Sequence, residues 1–157
     1  MSETTSPQFD LARAHRWFSA DCFNHVWALL EKPDRTADEC ERMVSLAHAS
    51  LAHWRERADC TAQNLSIGYW QVSRVYAVLG QAENARRYGE LCLAASAGEP
   101  PFYLGYAHEA LARAAKLAGN AASAAEHLAK AQMLAAKVTD AGERGALEGD
   151  LTGLAAG

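Results

Sequence analysis

The sequence predicts an all-α fold in which antiparallel helix pairs stack in a single domain. About three pairs are expected, with one more helix capping the C-terminal end. Three observations carry this expectation. No segment alternates polar and apolar residues as a half-buried strand does; β-branched residues are few, and Ile67 is the sole isoleucine. Alanine is abundant, and apolar residues recur at spacings of three and four, as on one helix face. Finally, "SRVYAVLGQAENARRY" (residues 73–88) shares a frame with "ARAAKLAGNAASAAEH" (residues 112–127). Arg74 falls on Arg113, Gly80 on Gly119, Ala82 on Ala121 and Ala85 on Ala124, each pair 39 residues apart.

Residues 1–8 are expected to form a disordered tail, and 9–157 one domain. A first helix should run from about Phe9 to Glu31, where Pro33 closes it, because proline cannot continue a helix and restricts the residue before it. Thr36-Ala-Asp-Glu39 reads as a capping box, which opens a second helix reaching about Arg57. Its apolar positions are Cys40, Met43, Val44, Ala47 and Leu51. A third helix spans about Ala62–Leu79 and a fourth about Glu83–Ser96, with Gly80 capping the turn between them. Gly98-Glu-Pro-Pro101 breaks the chain. A fifth helix follows over about Phe102–Ala118, Gly119-Asn120 turns it, and a sixth covers about Ala122–Val138. The last helix, near Glu143–Leu154, carries Gly145, Gly149 and Gly153. Interior glycine is unfavourable by about 1 kcal/mol relative to alanine, so packing must hold this helix.

A helix pair around a glycine turn cannot bury its apolar face alone, so several must stack. On Gly80 with Ala85, Gly119 with Ala124, and Tyr76 four residues before Gly80, the chain resembles the tetratricopeptide-repeat family. Ala115 stands in the second unit where Tyr76 stands in the first. The resemblance covers 62–138 and, more distantly, 9–57, with Pro33 in the turn. The offset of 39 exceeds the family's usual repeat of about 34 because the Gly98–Pro101 linker is long. The resemblance implies a right-handed array whose concave surface is lined by the first helix of each pair. It implies a non-catalytic module that binds a protein or peptide there. Its register places Ile67, Trp70 and Arg74 on that surface from one unit, and Tyr106, Glu109, Arg113 and Lys116 from the next.

Spacing alone puts Trp70 and Arg74, and likewise Glu109 and Arg113, on common helix faces. Stacked units would set Trp70 near Glu109 and Arg74 near Arg113. Two arrangements follow. In one, Trp70, Arg74, Tyr106, Glu109, Arg113 and Lys116 form a ligand groove with an aromatic floor, and the guanidinium forks take a carboxylate such as a free C-terminus. In the other, Trp70 is core, and the arginines pair with Glu109 and Glu90 across the stack. Trp70 and Tyr69 are neighbours, so one of the two rings must point away from the other.

Other chemistry finds less support. Net charge is −4, without a basic block, so nucleic acid is not the expected partner. No stretch approaches the roughly 20 apolar residues of a membrane span, and the N-terminus lacks a secretory pattern, so a cytoplasmic location is expected. Cys22, Cys40, Cys60 and Cys92 are widely spaced and read as reduced structural thiols. His108-Glu109 suggests a zinc-protease helix, but that motif needs a second histidine at position 112, which is alanine. Cys22, His25, His48 and His53 on the first pair are the metal-ligand candidates, and with them an enzyme is the alternative function. Helical arithmetic sets His15 level with His53 but staggers His25 from His48 by roughly 9 Å. Ser45 and Ser73 have no base at helical spacing. No cofactor is expected. The glycine-rich tail has two open roles: a cap on the last pair, or a face for self-association into a homodimer.

Overall fold

The structure is a computed structural model that describes residue 6 and residues 8–157. The tail expected at 1–8 lies, at 1–5 and 7, outside the described residues. Among the described residues the chain forms seven α-helices and no strand. No helix among them is long and apolar enough to cross a membrane.

Helix α1 (Leu11–Leu30) starts two residues later than expected because the Asp10 carboxylate accepts from the Arg13 amide at 2.9 Å and caps it. At its other end Arg35 donates to the carbonyls of Leu29, Leu30 and Lys32 at 3.1, 3.1 and 2.8 Å. One guanidinium so satisfies acceptors that the helix end leaves open. Helix α2 (Ala37–Arg55) opens with both arms of the Thr36–Glu39 capping box, at 2.9 and 3.2 Å. A second box, Thr61 with Asn64, opens α3 (Ala62–Val78); asparagine in place of the usual Glu or Gln hid it from the sequence pattern.

Gly80 precedes α4 (Ala82–Ala95), and Gly119 lies between α5 (Pro101–Leu117) and α6 (Ala121–Ala135). Their φ angles are +76° and +75°, the left-handed region open to glycine. The two turns close alike: the Gln81 amide donates to the Tyr76 carbonyl at 2.9 Å, and the Asn120 amide to the Ala115 carbonyl at 2.9 Å. This is the bond of a helix end closed by glycine. Pro101 begins α5, where its missing amide proton leaves no bond unmade. The chain ends in α7 (Ala141–Ala156).

Neighbouring helices are packed. The closest associations are α1 with α2, α3 with α4 and α5 with α6, and the pairs meet through α2–α3, α3–α5 and α4–α5. Each pair runs antiparallel. Ser66, early in α3, bonds Ser96 just past α4 at 2.8 Å, while Ser73, late in α3, donates to the Ala85 carbonyl early in α4 at 2.7 Å. The core falls into three clusters. Val26, Met43, Ala47, Leu51, Val72 and Val75 join α1, α2 and α3. Trp70, Cys92, Ala107 and Ala110 join α3, α4 and α5. Ala131, Ala135, Leu147 and Leu151 join α6 to α7. Helix α7 also lies close against α5: a Cβ at Gly105 would stand 2.5 Å from Leu147 Cδ2.

Candidate functional site

Rings from three helices converge on one open cleft of about 280 Å³. Helix α1 contributes Phe23 and Trp27, four apart and so on one face; α3 contributes Ile67 and Trp70; α5 contributes Phe102, Tyr103 and Tyr106. Asp150, on α7, is the one charged residue lining it among the described residues. Trp27 and Trp70 have centroids 5.6 Å apart and planes inclined by 32°. Tyr106 stands edge-on to Trp70 at 5.3 Å and to Phe102 at 5.1 Å. Such edge-to-face pairs are favoured by the ring quadrupoles.

An ion cluster lies beside the cleft. Glu109 is fully buried. It accepts from the Trp70 indole at 2.9 Å on Oε2, and on Oε1 from Arg74 Nη1 at 3.3 Å and Arg113 Nε at 2.8 Å, with Arg113 Nη2 donating to the same oxygen. Charged hydrogen bonds of this kind offset the desolvation of a buried carboxylate. Burial, and then the neighbouring Arg113, push the Arg74 guanidinium below its usual range, and Glu109 and Asp150 oppose that. Arg74 Nη2 lies 3.9 Å from Asp150 Oδ1. The other Asp150 oxygen, Oδ2, accepts from the Tyr106 hydroxyl at 2.9 Å. Burial and then Asp150 raise the Tyr106 phenol well above its usual range, so it stays a neutral donor.

The predicted groove is therefore corrected in its chemistry. Trp70 and Tyr106 do line a cleft, and Trp70 does meet Glu109 across the helices. Glu109, however, has no surface with which to touch a ligand, and Arg74 and Arg113 both bond it, their side chains remaining 22% and 23% exposed. Glu90, the other partner foreseen for the arginines, pairs with Arg86 on its own helix. Lys116 lies outside this cleft, beside Arg113 in a second depression, where its ammonium donates to the Leu154 carbonyl at 2.7 Å and caps the last turn of α7. Tyr69, the neighbour of Trp70, points the other way, toward Tyr88 and the Arg55 guanidinium. Phe23, Trp27, Phe102, Tyr103 and Asp150 were not foreseen. The four-residue spacing of Phe23 and Trp27 is the signal that could have found the first two.

The metal-ligand candidates are not brought together. His53 meets His15, with their Nδ1 atoms 2.8 Å apart, as the helical arithmetic anticipated. His48 bonds the Tyr76 hydroxyl at 3.0 Å and packs against Tyr88. His25 turns back to the Asp21 carbonyl on its own helix, and Cys22 is a buried free thiol. Among the described residues no three His, Cys, Asp or Glu side chains cluster as metal ligands. Cys92 is buried too, and burial pushes its thiol up to about 11, away from the reactive thiolate.

Comparison of the sequence with protein-family models, with curated proteins and with solved structures returns no match. The functional reading therefore rests on the cleft itself.

Proposed function

We propose that the chain is a non-catalytic module that binds a protein or peptide segment in the aromatic cleft. In this reading the three helix pairs form a right-handed array of the tetratricopeptide type, closed by α7, and the cleft lies on its concave side. One observation carries the proposal: α1, α3 and α5, the first helix of each pair, all send side chains into the same open cleft. Tryptophan and tyrosine supply large contact areas at little entropic cost and dominate binding surfaces. The cleft has the size and largely apolar lining of a site for one or two side chains rather than a whole cofactor.

The test selects peptides on the immobilised full chain and measures them by fluorescence anisotropy against the parent and Ile67→Arg. Ile67 lines the cleft and is 37% exposed, so the substitution should leave the melting temperature nearly unchanged. Selected peptides should lose at least about tenfold in affinity, a difference of about 1.4 kcal/mol. Peptides that bind Ile67→Arg as tightly as the parent would put the binding surface elsewhere.

A further inference from the structure

We propose that the aromatic cleft receives an alkylammonium cation, the head of a methylated lysine side chain carried by the bound peptide. The inference rests on the peptide-binding reading above and specifies what that site recognises. It reverses the sign of the ligand expected from the sequence.

Charge decides first. A carboxylate entering the cleft would need donor forks. Arg74 and Arg113 give theirs to the buried Glu109, and neither residue lines the cleft. What the cleft presents is Asp150 and ring surface. One Asp150 oxygen is held by the Tyr106 hydroxyl. The other, Oδ1, takes no hydrogen bond but lies 3.9 Å from Arg74 Nη2 in a long ion pair, which compensates part of its charge.

Ring geometry points the same way. Trp27 and Trp70 are inclined to each other, and Tyr106 stands at 74° to Trp70 and 78° to Phe102. The rings therefore form walls of differing orientation rather than one flat stack. Ring faces carry the negative end of the quadrupole and attract cations, and tryptophan does so most strongly.

Hydration selects the methylated head. A bare ammonium is a compact, strongly hydrated charge with three donors to satisfy. This cleft offers it one carboxylate oxygen, already in a long ion pair with Arg74; the Ser66 hydroxyl is bonded to Ser96. A trimethylated head has no donors and gives up its water readily. The volume of about 280 Å³ suits one such head with part of its stem.

The test uses the full chain and two blocked pentapeptides, Gly-Ala-X-Ala-Gly. In one, X is trimethyl-lysine; in the other, X is its uncharged isostere with carbon in place of the ammonium nitrogen. Binding is followed by tryptophan emission and by NMR, with free tetramethylammonium as a third probe. The trimethyl-lysine peptide should bind about tenfold more tightly than its isostere. Asp150→Asn should remove most of that preference. Because Asp150 also holds Tyr106, Trp27→Leu serves as a second variant: it keeps an apolar wall, removes a ring face, and should reduce the preference as well. Equal binding of the two peptides would overturn the cation inference and leave the peptide-binding reading standing. Binding of tetramethylammonium with no binding of either peptide would overturn the peptide source of the cation, and this inference with it. Silence from all three probes would overturn the inference, while peptides selected independently would still decide the module reading.

Discussion

Glu109 has no exposed surface, and four N–H donors point at it, from Trp70, Arg74 and Arg113. Removing one member of such a buried group leaves the others unpaired, and that is far more destabilising than the net worth of the pair. Glu109→Gln keeps the shape but removes the charge that holds two guanidiniums together. It should destabilise the fold by roughly 3 kcal/mol, read from urea unfolding. A loss under about 1 kcal/mol would mean that both arginines can turn to water. The same cluster explains why Arg74→Ala is a poor probe of ligand binding: it disturbs the wall of the cleft before any ligand arrives.

Helix ends and helix-to-helix contacts carry their own consequences. Gly80 and Gly119 hold positive φ, and a Cβ added at either would meet nothing within 4 Å, so replacing either with alanine meets no clash. The penalty is in the backbone alone, about 1–2 kcal/mol for a side chain forced into the left-handed region. Both variants should melt lower by several degrees, and to a similar extent, because the two turns close alike. Histidine pairs join the helices of two pairs: His15 with His53, and His108 with His127, whose Nδ1 atoms lie 3.0 Å apart. Burial above all holds His53, His108 and His127 below the ordinary histidine range, as it does His48 beside Tyr76. The sign follows. A histidine whose folded pKa is depressed is neutral in both states above about 6.5, the unfolded value, and there its contribution is complete. As pH falls through that value the unfolded chain takes up protons first, and stability is lost. The melting temperature should therefore drop between about pH 7.5 and pH 5, and His108→Gln with His127→Gln should flatten the drop. An unchanged slope in that double variant would assign the pH dependence to other groups.

At the scale of the whole molecule, helix number and order were legible in the sequence because caps, prolines and glycine turns mark the ends of helices locally. The boundaries moved by a few residues where a side chain caps the end, as Asp10 does for α1. The cleft was half legible. Trp70 and Tyr106 came from the register that the repeat resemblance implies, whereas Phe23 and Trp27 sit on a pair that lacks the glycine turn, so no register reached them. Asp150 sits among the small residues of α7, whose packing against α5 only the fold reveals. Burial of Glu109 was illegible for a related reason: spacing says which residues share a face, not how deep that face lies. Trp70 and Glu109, which bond each other, are themselves 39 residues apart and so hold the same position in successive units. One unit supplies the donor and the next the acceptor. Duplicating the α5–α6 unit in tandem would set one carboxylate against another at this buried position, and duplicating α3–α4 would set indole against indole. Neither of these two units can take the other's place without leaving that contact unmade, so their order is directional, like two halves of a clasp.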